Sequence, residues 1–391
     1  MPDSRPHDAP HPPPGRGGPD VPDGGFRLPP TRARAPDALA DPLLQTQSAW
    51  AGEHLQDFIG SVRIPVGIAG PLRVNGLSAR GDYSLPLATT DPGLIAACNR
   101  GLQVMAEAGG CTAMVLDEGI GRGLTFGFRT LQQAGLFAHW VISHVDTFRR
   151  VAAASSAEAR LIDLRVTVVS NLVYAYCEFA PGDAVDGEAG AAADAIRAYV
   201  RKHCPVRPLA EAARVSPAPL PGGLLPTPTV QGRRVSAEVI LPADLVVARL
   251  ETTVQQIATA WRGPAGDAAN APPGAPRWPV RALAALFAAC GQELAGAAAS
   301  AAGLYRFEVT PQGELYAGVT LPHLMVGTVG GGTALPAQRA CLDLLGLAGP
   351  AKAPALAEVC AGLCLAAELA ALAGLPAGSR RPQPFTIPKE G

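Results

Sequence analysis

Leu85–Gly93 reads LPLATTDPG and is followed by Asn99-Arg100-Gly101; further along the chain, Gly327–Thr333 reads GTVGGGT. Upstream lies a third apolar stretch punctuated by Pro and Gly, Ile64–Leu72, IPVGIAGPL. Taken singly, these are a buried loop, a solvated helix face and a glycine turn. Taken in order, they suggest a site built from distant segments. Consecutive glycines let a backbone approach a ligand closely and turn N–H groups toward an anion. An arginine such as Arg100 suits a phosphate, because its guanidinium is permanently charged and binds bidentately.

The surrounding chain has 391 residues, 48% of them hydrophobic, which allows one large core or two smaller ones. Its 32 basic and 33 acidic residues leave a formal net charge of -1. That balance gives no electrostatic reason to expect nucleic acid or a membrane surface as partner, and a small ligand fits better. The eight cysteines lie mostly in apolar runs and never as Cys-x-x-Cys, so they read as buried thiols, not as a zinc site or a redox dithiol. No metal site is expected. The first residues lack an apolar signal core, and no stretch reads as a membrane span, so a cytoplasmic protein is expected. Ala, Pro, Gly and Arg richness is consistent with a high-GC bacterial genome.

Residues 1–40 are Pro/Gly-rich without periodicity and read as a disordered tail. Val215–Pro228 and Gly263–Pro279 read as long loops. Between these segments Arg122–Arg129 reads as a strand, Leu131–His144 as a helix, Ala159–Val169 and Leu172–Phe179 as strands, and Gly190–His203 as a helix. That order suggests a split βαβ, ferredoxin-like insert. Val280–Gly303 and Ala355–Leu375 read as Ala-rich core helices.

From Phe58 to Pro384 the motifs, in this order, resemble the 3-hydroxy-3-methylglutaryl-CoA (HMG-CoA) reductase family. The resemblance implies an α+β fold: a large helical domain over 41–121 and 215–378, an inserted ferredoxin-like small domain over 122–214, and a C-terminal tail over 379–391. It also implies a homodimer with its active site across the interface. Asp91 falls where the family has a catalytic glutamate, with Pro92 in place of glycine, and Asn99 and Arg100 match an NRG motif that meets CoA phosphates. Arg122, ending Asp117–Arg122 (DEGIGR), becomes an anion contact. Asp183 opens DAVDGE, the nucleotide motif, in which Asp186 and Glu188 add charge that would repel an anionic cofactor. Gly327, Thr328, Val329, Gly330, Gly331, Gly332 and Thr333 form the matching pocket wall. Glu293, in ACGQE, stands where the family has aspartate.

Other positions depart from the pattern. The Asp-Lys-Lys expected ahead of Gly232-Arg233-Arg234 falls on Pro221-Gly222-Gly223, and no lysine lies between Ala210 and Thr259. The polar NAHAAN-like stretch is Pro276–Arg281, PRWPVR, and the C-terminal histidine falls on Pro384; the last histidine is His323. Losing an oxyanion donor and a proton source together should abolish thioester reduction by the family's route. Asp91 and Glu293 would then be like charges sharing a cleft and a proton.

Three functional readings follow. In the first, a repurposed enzyme of bacterial specialised metabolism, requiring no cofactor, uses a neutral carboxylic acid to cyclise or isomerise a polyketide, terpenoid or acyl intermediate, with Trp278 and Phe385 lining an apolar cleft. In the second, an NAD(P)H-dependent reductase of an acyl thioester works with altered acid groups. In the third, the chain is a non-catalytic binding or partner subunit.

Overall fold

A computed structural model describes residues 60–155, 160–180, 182–183, 187–214, 232–262 and 278–374. The Pro/Gly-rich tail, Pro221-Gly222-Gly223, the side chains of Asp186 and Glu188, Pro384 and Phe385 lie outside the described residues.

The main sheet runs β2-β1-β3-β7-β9-β8. Its strands are β1 (Val66–Gly76), β2 (Arg80–Ala88), β3 (Cys111–Gly127), β7 (Gly232–Leu241), β8 (Leu304–Val309) and β9 (Leu315–Leu324). β1 and β3 pair in parallel over a short register, and the other pairs are antiparallel. IPVGIAGPL, which its prolines and glycines suggest as a loop, is instead largely strand, because the register shift between Ala69 and Leu72 absorbs Gly70-Pro71 while Val66–Ala69 stays paired with β2.

One face of this sheet is covered by helices. Central among them is α10 (Ala353–Gly374), buried on all sides, so apolar residues surround its axis instead of forming a stripe. It is long and apolar enough by length and composition to cross a membrane, but Glu358 and Glu368 interrupt its apolar run and 94% of its most apolar window is buried inside this fold. Against it pack α1 (Pro92–Glu107) and α7 (Trp278–Cys290). The single helix expected over Val280–Gly303 ends at Cys290, because Gly291 takes a positive φ of 69° and lies against Gly332, leaving a 3-10 turn and the short α8 (Ala297–Ala301) to follow. The opposite sheet face exposes Met114, Leu116, Ile240 and Leu304. On that face a groove of about 470 Å³ is lined by Thr112, Ser236, Glu238, Tyr316 and Thr320, among others.

β3 continues into a second sheet of order β4-β5-β3-β6, antiparallel throughout, with β4 at Leu161–Val169, β5 at Leu172–Phe179 and β6 at Ala210–Arg214. Three helices belong to this part of the chain: α2 (Leu131–Ser143), α3 (Val145–Ser155) and α4 (Gly187–His203). Its own core is aromatic, with Phe137 set 4.8 Å from Phe126 and 4.7 Å from Phe128 between ring centroids. The remaining helices, α5 (Ala243–Leu250), α6 (Val254–Arg262) and α9 (Pro336–Leu344), pack around the larger core.

The cysteines are free, and all but the half-buried Cys341 are buried. Burial pushes the Cys98 and Cys111 thiols up to about 12, far from the thiolate needed for nucleophilic chemistry.

Candidate functional site

The turn after α7 and the GTVGGGT segment are fastened together by one side chain. Gln292 donates from Nε2 to the carbonyls of Cys290 and Gly327, each at 2.9 Å, and its Oε1 accepts the Gly327 N–H at 2.8 Å. A carboxamide can do both because it carries donor and acceptor on one planar group. Gln292 was not among the residues singled out from sequence; its signal was a buried amide beside glycine at the end of an apolar helix.

Asp183 makes the second joint. Its main-chain oxygen accepts from the N–H groups of Thr328 (2.8 Å) and Val329 (3.2 Å), and its carboxylate accepts from Ala351 N–H at 2.5 Å. Arg233, 3% exposed, donates to the Gly182 carbonyl at 3.1 Å and to the Val326 carbonyl at 3.0 Å, and pairs with Glu118 at 3.3 Å. Burial pushes its guanidinium down from the usual value, while Glu118 and Asp183 pull it back up. Asp183 and the glycine-rich turn are therefore in contact, as a shared site requires. Asp183 contributes as a main-chain and carboxylate acceptor that shapes the turn. Within the turn, Gly330 and Gly331 are exposed at φ of 73° and 53°, and a Cβ at either would meet nothing within 4 Å. Thr333 closes the turn by donating from its hydroxyl to Gly330 at 2.7 Å.

Asp91 caps α1, accepting the Gly93 N–H at 3.0 Å, with Pro92 at the first helical position, where its missing N–H costs nothing. Its other carboxylate oxygen faces Arg281, from the first turn of α7, at 3.9 Å. The Arg281 guanidinium also lies over the Trp278 ring, 5.1 Å from its centroid. Trp278 therefore meets a cation here, where the sequence reading placed an apolar pocket wall.

Glu293 is exposed and stands at the start of the 3-10 turn beyond the C-terminal end of α7, where its side chain makes no capping hydrogen bond. Arg281 marks the Asp91 end of that helix, and the nine steps to Cys290 span roughly 13 Å at the α-helical rise. Asp91 therefore faces a guanidinium, while Glu293 stands beyond the other end of α7.

Three expected ligand contacts are engaged inside the fold. Asn99 Oδ1 accepts the Gly70 N–H at 2.8 Å, Arg100 donates to the Leu250 carbonyl, and Arg122, 5% exposed, donates to the Gly121 carbonyl at 2.8 Å. The first two tie backbone at the β1 register shift and at the end of α5. None of the residues named from sequence lines the groove on the outer sheet face.

The hydroxymethylglutaryl-coenzyme A reductase family model matches residues 35–379. The chain belongs to this family. It is 34% identical over 336 residues to the 3-hydroxy-3-methylglutaryl-coenzyme A reductase of Pyrococcus abyssi, covering 83% of this chain and 82% of that protein. It is also 34% identical over 351 residues to the enzyme of the same name from Aeropyrum pernix, covering 87% and 83%. Among solved structures, the fold is similar to the class II HMG-CoA reductase of Streptococcus pneumoniae bound to NADPH, with a TM-score of 0.66, 18% identity, and coverage of 87% of this chain and 94% of that one. HMG-CoA reductase family membership and an α+β architecture with a mixed sheet are thus established for this chain.

Proposed function

We propose that this member of the HMG-CoA reductase family is a nicotinamide-dependent oxidoreductase of a small acyl substrate, a thioester, working with a cation and acids other than the lysine and histidine expected from the resemblance. The observation that carries the proposal is the joint between Asp183 and the GTVGGGT turn, which leaves Gly330 and Gly331 open to a ligand's backbone approach. Such a turn suits a pyrophosphate, because only glycine combines positive φ with room for an anion at the main chain. Gly330, Gly331 and Gly332 would hold NAD(P)H there, and that cofactor supplies hydride when bound. Asp183, Arg233 and Gln292 hold the turn in shape.

The carboxylic-acid reading is the less supported one, since the charged group that faces Asp91 is a guanidinium. Membership of the family supports a homodimer. The absence of lysine from Ala210 to Thr259, and of histidine after His323, supports a substrate different from that of the family's named members and is compatible with a role in specialised metabolism.

Titrating the protein with NADPH while following tryptophan fluorescence tests the proposal. Saturation below millimolar concentration, weakened in Asp183→Ala, is expected. No saturable change would reject the cofactor and the reading with it.

A further inference from the structure

Arg281 occupies a position with little to recommend it for stability. It sits in the first turn of α7, where unpaired N–H groups give the helix end a partial positive charge and a cation is disfavoured. Its contact with Asp91 is a loose one at 3.9 Å. The same chain forms a closed pair elsewhere: Arg73 grips Asp82 with two parallel hydrogen bonds of 2.8 and 2.9 Å. At 3.9 Å no hydrogen bond is made. Among the described residues the guanidinium therefore keeps its fork of donors, and Asp91 keeps accepting capacity on Oδ2, since its Oδ1 takes the Gly93 N–H. The two side chains are 53% and 38% exposed, so a small ligand can reach both.

Trp278 settles the orientation. Three residues earlier on the same helix, it lies beneath the guanidinium, and the attraction between cation and ring face restricts Arg281 to a few rotamers. A fixed donor fork beside a carboxylate, both open to solvent, is a recognition element. It matches a group that presents an acceptor oxygen to the guanidinium and a hydroxyl donor to the carboxylate a few ångströms away.

We propose that Arg281 is the substrate-binding cation of this site, its guanidinium donating to a carboxylate or acyl oxygen of a small hydroxy acid while Asp91 accepts the neighbouring hydroxyl. The inference deepens the acyl-substrate reading above and rests on it for the identity of the site, but not on the nucleotide. The contact also strengthens wherever negative charge builds on that oxygen, the task for which the expected ammonium is missing. Arginine differs from that lysine in being planar, permanently charged and bidentate.

The test uses the full chain and 3-hydroxybutyrate as probe, with butyrate as the comparison lacking a hydroxyl, and ligand-observed NMR as readout. Small ligands of this size bind weakly, so saturation at roughly millimolar concentration is expected. Arg281→Gln should weaken 3-hydroxybutyrate by about tenfold or more, as loss of a hydrogen bond to a charged group does. Arg281→Lys should lie between, and Asp91→Asn should remove the preference over butyrate. All three variants should keep the native melting temperature, which reports that they are folded, and an NADPH affinity equal to that of the native chain. Equal 3-hydroxybutyrate binding by the native chain and Arg281→Gln, or no binding by the native chain, overturns the proposal. Failure of NADPH binding alone would overturn the oxidoreductase reading and leave Arg281 in its role.

Discussion

Glu358 lies wholly buried in the first half of α10, and its carboxylate accepts the Ser78 N–H at 3.0 Å and the Ala79 N–H at 2.6 Å. It thereby pins the turn between β1 and β2 onto the central helix. A buried acid of this kind attracts functional readings, but its acceptors are spent on backbone donors that have no strand partner. Truncation leaves those N–H groups unmet and opens a cavity, so Glu358→Ala should cost roughly 2–4 kcal/mol, read as a lower urea midpoint at unchanged slope. A loss under about 1 kcal/mol would show that water replaces the carboxylate. The same accounting explains what was legible at the site. Asp183 and the glycine turn could be found because their residue types are informative by themselves. Asn99, Arg100 and Arg122 look equally informative in sequence, and each is also bound to a backbone group in the fold, because spacing does not say which polar groups the backbone will claim. Arg281 and Gln292 were missed for the converse reason: each gains its meaning only from a partner far away in the chain.

At the level of elements, α1 crosses α10 at a point where only glycine fits. A Cβ on Gly101 would sit 2.1 Å from the Ala366 carbonyl oxygen, a backbone atom that cannot swing away. Alanine ordinarily favours a helix over glycine by about 1 kcal/mol, and here overpacking should outweigh it. Gly101→Ala is expected to lower stability by roughly 1–3 kcal/mol net, seen as a reduced melting temperature; an increase would mean that the crossing can open without penalty. Contacts of this type also mark the limit of sequence reading. The strand and helix order from Arg122 to His203 was readable from periodicity, but α3 and β6 were not. β6 is Ala-Glu-Ala-Ala-Arg, with no β-branched residue, and is held extended by pairing with β3. The end of α7 was hidden in the same way: alanines run on past Gly291, and its close approach to Gly332 is what stops the helix.

For the whole molecule, the length of α7 fixes the geometry that matters most. Asp91 and Arg281 stand at one end and Glu293 beyond the other, so the charged group that faces Asp91 is Arg281. A second copy is one way to bring a Glu293 to Asp91, and exposed apolar side chains such as Met114, Leu116 and Ile240 leave surface to bury. A stable interface removes about 1,600 Å² in total, which requires a broad patch and not a few contacts. Light scattering at micromolar concentration should therefore give roughly 80 kDa, twice the 40.0 kDa of one chain, following the usual preference for twofold assemblies. If the mass is that of one chain, Glu293 drops out of the site, and recognition falls to Asp91 and Arg281 alone. Under that outcome Glu293→Gln should leave substrate binding unchanged while Arg281→Gln still weakens it, whereas in the dimer both substitutions act on the same bound molecule.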